Sequence, residues 1–381
     1  MRISVIVAAL VAALVGFGST IALVLAAAAA VGASPAQTVS WVLAVSLAKA
    51  VGSAGLSLWA RVPMVLAWST PGAALIAATS GIDMEQAAGA FVLAGVLIAL
   101  TGLVAPLERL VSRIPDGIAA GMLAGVLLPF CLKLAPAAVA APGIALPMVA
   151  AFVLVRLWNP ALAVLAALAL GFGVAAAGGQ FVWPAGPVAA PGLVFVWPDF
   201  DPVVLIGLGV PLYLVTMASQ NLPGFATLRA AGYAPPVRPA LGVTGALSAL
   251  GGFFGAHPVN MAAITAAICL GPDVHPDPAR RWVVGLAYGV AWVVLGLSAS
   301  LVIATIGALP PALIAAAVAL ALLGPLSGAL TAAFAPAPQR FAATVTLTVA
   351  ASGIAMFGIG AAFWGLLAGM AVLGAERLRR G

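Results

Sequence analysis

Three groups of polar residues interrupt the apolar runs of this 381-residue chain, and two of them share one design. Ser69 and Thr70 stand in Ala67-Trp68-Ser69-Thr70-Pro71-Gly72, ahead of a helix-like run to Thr79. His257 and Asn260 stand in Gly255-Ala256-His257-Pro258-Val259-Asn260, ahead of a similar run to Leu270. In both, extended or kinked chain gives way to a helix of about two to three turns, too short to cross a bilayer. A half-helix presents unpaired N–H groups and the positive end of its dipole. Two of them facing each other inside a membrane make a site for an anion. Ser69 and Thr70 would cap the first half-helix and donate to a ligand. Asn260 would open the second, with His257 just before it as the candidate for proton coupling.

The third group is Tyr213, Thr216, Ser219, Gln220 and Asn221. Tyr213, Thr216 and Gln220 are spaced i, i+3, i+7 and so share one helix face. Polar groups at mid-membrane are costly unless they line a cavity. The counterpart on the first span is Phe17, Ser19 and Thr20, where Phe17 either stacks on an aromatic ligand or packs in the core.

The acids are informative by position. Asp83, Glu85, Glu108, Asp116, Asp199, Asp201, Asp273, Asp277 and Glu376 all fall at span ends or in loops. No carboxylate is left at mid-membrane to hold sodium or a cationic substrate, which suits an anion met by dipole ends and amides. Lys133 can snorkel to an interface; Lys49 lies nearer mid-span with no acid partner legible in the sequence. His275 shares a charged loop with Asp273 and Asp277, a solvated setting. Cys131 and Cys269 sit in apolar runs as free thiols, and no metal-ligand spacing or cofactor motif occurs. There is no Gly-x-Ser-x-Gly elbow, His-Glu-x-x-His or P-loop, so neither hydrolysis nor ATP-driven transport is expected of this chain.

The elements that position these groups follow from composition. Hydrophobic residues make up 64% of the chain and charged residues 6%, and mean hydropathy is +1.23. Soluble domains carry about 25% charged residues, so this is a multi-spanning helical bundle in a lipid bilayer. The net charge of +6 comes from basic residues scattered between spans, so it does not point to nucleic acid as partner. The run from Arg2 to Val31 is too long for a signal peptide and reads as the first span. Apolar runs and loop signals predict fourteen elements, at 4–30, 36–58, 63–80, 85–107, 116–134, 144–158, 160–178, 201–229, 238–252, 256–271, 282–307, 311–329, 340–355 and 357–375. With the N-terminus in the cytoplasm, Arg2, Arg61, Arg109, Arg113, Arg156, Arg229, Arg238, Arg280, Arg281, Arg340, Arg377, Arg379 and Arg380 all fall on the cytoplasmic side. The positive-inside rule asks for that distribution. Asp83, Glu85, Asp199 and Asp201 lie opposite, with Trp183 and Trp197 as interfacial anchors.

Seven spans per half is an odd number, so a duplicated half must sit inverted. Gly32-Ala33-Ser34-Pro35-Ala36 and Gly232-Tyr233-Ala234-Pro235-Pro236 are 200 residues apart, and each follows a long helix and leads through a small-residue span to a half-span. The expected fold is an all-α polytopic membrane protein of fourteen segments in a 7+7 inverted repeat, with half-helices as spans 3 and 10, the architecture of alternating-access carriers.

Several segments resemble the bacterial benzoate/proton symporter family (BenE). They are Trp68-Ser69-Thr70-Pro71-Gly72-Ala73-Ala74-Leu75, Thr216-Met217-Ala218-Ser219-Gln220-Asn221-Leu222-Pro223-Gly224 and Asn260-Met261-Ala262-Ala263-Ile264-Thr265-Ala266-Ala267-Ile268-Cys269. Ala351-Ser352-Gly353-Ile354 and Gly360-Ala361-Ala362-Phe363-Trp364-Gly365 resemble it too. The resemblance implies a proton-coupled importer of benzoate in the bacterial inner membrane, both termini cytoplasmic, and kinship with uracil/xanthine permeases and SulP-type anion transporters. It implies core segments 1–107 and 201–308, gate segments 108–200 and 309–381, and elevator-type movement of one against the other. Ser69, Thr70, Gln220 and Asn260, with Asn221 and Ser219 beside them, would meet the carboxylate; Phe17 and Tyr213 would flank the ring. The related fold allows a homodimer. Relatives often carry an acid in the eighth or tenth span, where this chain has Gln220, Asn221 and Asn260. Rival expectations are a carrier of another small anion or a nucleobase on the same fold, and an uncoupled anion channel.

Overall fold

Two three-residue strands from distant parts of the chain meet at the centre of the bundle. The computed structural model describes residues 2–104, 115–181, 190–357 and 359–380. Strand β1 (Leu66–Trp68) pairs antiparallel with β2 (Val259–Met261), with Leu66 opposite Met261, Ala67 opposite Asn260 and Trp68 opposite Val259. Non-helical backbone at membrane depth must find its hydrogen bonds inside the protein. Beyond the ladder, Ser69 N donates to Pro258 O at 3.0 Å and Ala262 N to Val65 O at 3.0 Å. Two buried serines complete the pairing: Leu66 N donates to Ser53 Oγ at 2.9 Å, and Val259 N to Ser248 Oγ at 3.0 Å.

Each strand runs into a short helix: α4 (Thr70–Ala77) after β1, and α12 (Ile264–Leu270) after β2. Around them lie α1 (Ile3–Gly18), α2 (Ile21–Ala30), α3 (Pro35–Ala60), α5 (Met84–Leu103), α10 (Pro202–Ala230), α11 (Val237–Gly252), α13 (Val283–Leu297) and α14 (Ala299–Gly307). The remaining helices are α6 (Asp116–Leu132), α7 (Leu134–Ala140), α8 (Pro142–Trp158), α9 (Ala163–Ala177), α15 (Pro311–Phe334), α16 (Arg340–Ala351) and α17 (Ala361–Arg380). A second small pairing, β3 (Ala355–Met356) with β4 (Ile359–Gly360), precedes α17. Eight helical stretches among the described residues are long and apolar enough to cross a membrane. The chain is a polytopic helical membrane protein.

Packing pairs distant helices, α5 along α11, α3 along α13 and α6 along α15 and α16, and also the neighbours α8 with α9 and α16 with α17. Small residues allow the close approach usual in membranes; a Cβ at Gly245 on α11 would strike the backbone of Ala99 on α5. The two Gly-x-x-Pro turns are alike in detail. Gly32 and Gly232 both have positive φ (65° and 87°). Ala33 N donates to Ala28 O and Gly32 N to Ala29 O; Tyr233 N donates to Leu228 O and Gly232 N to Arg229 O. Each is a Schellman cap, with the left-handed residue that glycine supplies without strain.

The ends of the bundle sort the loops. At one end Ser4 Oγ donates to Val274 O, Tyr233 Oη to Pro278 O, and the Arg238 guanidinium to the last carbonyls of α5, Gly102 and Leu103. At the other, the segment from 190 to 201 runs across the helix ends, with Ser40 holding Val194, Val196 N bonded to Phe253 O, and Asp199 N bonded to Glu85 O.

Several expected elements are redrawn. The first span breaks at Ser19-Thr20, and 282–307 breaks at Ser298, where hydroxyls end the regular helix. Span 116–134 continues as α7. Asn260 does not open the second half-helix: strand pairing with Ala67 holds it extended, and the helix starts only at Ile264. Glu108, Arg109, Arg113, Trp183 and the expected domain boundary at 107/108 lie outside the described residues.

Candidate functional site

Ser69 caps α4 by accepting from Gly72 N at 3.2 Å, the role its position predicts. Its hydroxyl also lies 2.7 Å from Thr216 Oγ1 on α10. Thr70, the first residue of α4, lies 3.3 Å from Thr20 Oγ1 at the break between α1 and α2. Broken helix, half-helix and α10 thus meet through hydroxyl groups.

Helix α10 changes winding where the polar group sits. Residues Met217–Asn221 form a π-helical turn, a local bulge found often at functional sites. The wider turn spoils the single face expected of Tyr213, Thr216 and Gln220. Tyr213 is buried, with its hydroxyl 2.5 Å from Thr101 Oγ1 on α5. Thr216 points to Ser69, whereas Gln220 reaches Asn260, whose Nδ2 donates to Gln220 Oε1 at 3.4 Å and to Met261 O at 2.8 Å. Asn221 braces the strand, accepting from Met261 N at 2.9 Å and donating to Met217 Sδ. Ser219 Oγ bonds back to Val215 O.

A cavity of about 330 Å³ opens beside this network. One wall carries the polar groups: Ser19 and Thr20 at the α1–α2 break, Thr70, Gln220, Thr265 and Lys49. Trp68 and Tyr288 lie among them, and the Tyr288 hydroxyl is engaged with Leu66 O at 2.9 Å. The lining from α6, α8 and α15 is apolar apart from Arg156: Leu127 of α6, Phe152 of α8, and Leu320 and Gly324 of α15. Apolar lining with a few convergent polar groups is the usual form of a small-molecule site.

Of the residues expected to meet the ligand, Thr70 and Gln220 line the cavity. Ser69 and Asn260 stand just behind them, fully buried. Phe17 and Tyr213 do not line it. Phe17 packs against Trp68 and Trp292, with ring centroids 5.7 and 5.8 Å apart, which takes it out of reach of a ligand's ring here. Tyr213 is turned to α5 by its bond to Thr101. Trp68, Tyr288 and Phe152 are the rings that line the cavity instead. Among the described residues, three buried polar atoms in this region have no hydrogen-bond partner: Asn260 Oδ1, His257 Nε2 and Trp292 Nε1. The other nitrogen of His257 accepts from Trp41 Nε1 at 2.8 Å.

Lys49 is the residue whose role the sequence left open. Its side chain is 1% exposed, with Nζ 2.9 Å from the ring centroid of Trp292 and 4.3 Å from that of Trp68. Desolvated cation–π contacts contribute about 2 kcal/mol each, against a burial cost of several kcal/mol for an ion. The aromatic cage offsets part of that cost and supplies no counter-charge. The signal in the sequence was the missing acid partner itself. Lys133, by contrast, is exposed at the end of α6, Cys131 and Cys269 are buried free thiols, and His275 bonds Asp277 N in its loop. Among the described residues no group of three or more His, Cys, Asp or Glu side chains comes together to hold a metal.

The family model for the benzoate membrane transport protein (BenE) matches residues 1–375. The chain is 39% identical over 366 residues to the "Inner membrane protein YdcO" of Escherichia coli (strain K12), covering 96% of this chain and 93% of that one. It is 32% identical over 373 residues to the "Benzoate membrane transport protein" of Acinetobacter baylyi, covering 97% and 94%. In fold it is similar to the transmembrane domain of the cyanobacterial bicarbonate transporter BicA, with a TM-score of 0.61, 15% identity, and 97% and 98% of the two chains covered. It is also similar to SLC26A9, with a TM-score of 0.64, 15% identity, and 98% of this chain and 66% of that one covered.

Proposed function

The chain belongs to the family of benzoate membrane transport proteins, and from that membership we propose that it imports benzoate or a similar aromatic carboxylate together with protons. The family is one of membrane transporters, not enzymes. The observation that carries the substrate reading is the cavity. It has the volume for a small ligand, donors on one wall from Thr20, Thr70, Gln220 and Lys49, and the indole of Trp68 among them. The carboxylate would sit toward Thr70 and Gln220, with Ser69 and Asn260 holding those groups in place.

Elevator-type alternating access is supported by how the walls divide. Every residue of the polar wall comes from segments 1–107 and 201–308, the proposed core; Leu127, Phe152, Arg156, Leu320 and Gly324 come from the proposed gate. A 7+7 inverted repeat of fourteen spans is supported by the matching Schellman turns, by the antiparallel β1–β2 pair, and by the pairing of α5 with α11 and α3 with α13. Counted as spans 4 with 9 and 2 with 11, those two pairings exchange under a seven-span shift. With the arginines on the cytoplasmic face of an inner membrane, the exposed Arg156 on the cavity lining supports a mouth on the cytoplasmic side, an inward-open state.

Displacement of labelled benzoate from the purified protein tests the substrate. Unlabelled benzoate should compete, and uracil, sulfate and bicarbonate should not. The fold shared with a bicarbonate transporter favours one second reading, a carrier of a small inorganic anion. Displacement by bicarbonate at lower concentration than by benzoate would select it.

A further inference from the structure

We propose that Lys49 is the specificity residue for a carboxylate, its ammonium leaving the indole faces of Trp68 and Trp292 to pair with the carboxylate of an aromatic acid in the cavity. This rests on the reading of the cavity as a carboxylate site and names the charge that meets the substrate.

Lys49 lines the cavity from α3 yet is almost wholly withdrawn from solvent. Among the described residues no hydrogen bond to its ammonium is present, and the one ion pair, Arg280 with Asp277, lies in a loop. Its neighbours are two indole rings, which attract a cation through their quadrupoles and supply no counter-charge. The nearby titratable side chains, His257 and Tyr288, supply no anion: His257 Nδ1 is taken by Trp41, and the Tyr288 hydroxyl is donated to Leu66 O. Arg156, the other cation of the cavity lining, is exposed and so open to solvent screening that Lys49 escapes.

A bound carboxylate would therefore find one strong, dry partner. Thr20, Thr70 and Gln220 offer donors for its remaining lone pairs. Because Trp68 itself lines the cavity, the indole face that the ammonium vacates becomes available to the ligand's ring. A neutral ring of the same shape would have nothing with which to draw the ammonium off the indoles. Charge and aromaticity are then read by the same three side chains.

The test compares benzoate with benzamide, its neutral near-isostere, in direct binding to the purified full-length protein. The unaltered protein should prefer benzoate by tenfold or more. Lys49→Met, close in length and without charge, should weaken benzoate at least tenfold and leave benzamide within twofold. Lys49→Arg should keep the preference for benzoate. An unchanged preference in Lys49→Met would overturn the assignment and leave the carboxylate reading standing; no benzoate binding by the unaltered protein would overturn both. If Lys49→Met does not fold, tryptophan emission of the unaltered protein decides. A response to benzoate that benzamide does not produce supports withdrawal of the ammonium from the indoles, and an identical response to both overturns it.

Discussion

The indole Nε1 of Trp41 donates to Nδ1 of His257 at 2.8 Å, in a region where neither side chain reaches solvent. An indole N–H can only donate, so Nδ1 is the acceptor, the ring's proton is on Nε2, and the imidazole is neutral while this bond holds. His257 can take part in proton coupling only in a state in which Trp41 has turned away. His257→Gln should then keep exchange of benzoate across the membrane while losing accumulation driven by a proton gradient. Counterflow and gradient-driven uptake, measured on the same vesicles, separate the two. Full accumulation by the variant would remove His257 from the coupling route.

Ser69 and Thr216 tie the half-helix α4 to α10 through one 2.7 Å contact between hydroxyls. Ser69→Ala also removes the α4 cap and should destabilise the protein by about 1–3 kcal/mol. Thr216→Val should cost less, since it leaves the cap in place. The double variant should fall short of the sum by about 0.5–1.5 kcal/mol, the mark of a direct interaction. Thermal unfolding of the four proteins in detergent measures this.

Gln220 and Asn260 join the π-turn of α10 to strand β2. Gln220→Ala removes a cavity-lining amide, and Asn260→Ala removes the group that orients it. Each should weaken benzoate binding tenfold or more, about 1.4 kcal/mol. Affinities within about twofold of the unaltered protein in both variants would displace the proposed pocket.

Gly32 and Gly232 have open space where a Cβ would stand, so substitution there tests backbone conformation alone. Alanine at either position should cost about 1 kcal/mol, with the two effects similar in size. Asparagine, which tolerates the left-handed region, should cost less than alanine at both. Unfolding midpoints of the two pairs of variants provide the comparison.

Much of the frame was legible because local chemistry marks it. Ser34-Pro35 opens α3 with a capping box to Gln37, Gly32 and Gly232 end their helices, and Ser69 caps α4 as its position predicts. The site was legible in part. Thr70 and Gln220 were found because polar groups in an apolar run need a reason. The pairing of Ala67 with Asn260 was not legible, since a three-residue strand gives too little alternation to register. The missed pairing is why Asn260 was expected to open a helix that begins at Ile264. The π-turn at Met217–Asn221 was equally hidden, and it carries Gln220 off the face that regular winding from Tyr213 predicts. Residue type alone offers Phe17 to a ligand's ring; the fold packs it against Trp68 and Trp292, off the cavity lining. Lys49 needed Trp68 and Trp292, far apart in sequence, to acquire a meaning.

The central claim is proton-coupled carriage of an aromatic carboxylate, and uptake of labelled benzoate into proteoliposomes tests it most directly. Empty liposomes report the passive permeation of benzoic acid, which is subtracted. Protein-dependent accumulation under an inward proton gradient, abolished by a protonophore, is the predicted result. Protein-dependent equilibration with no accumulation, or no protein-dependent uptake by folded protein, would contradict it.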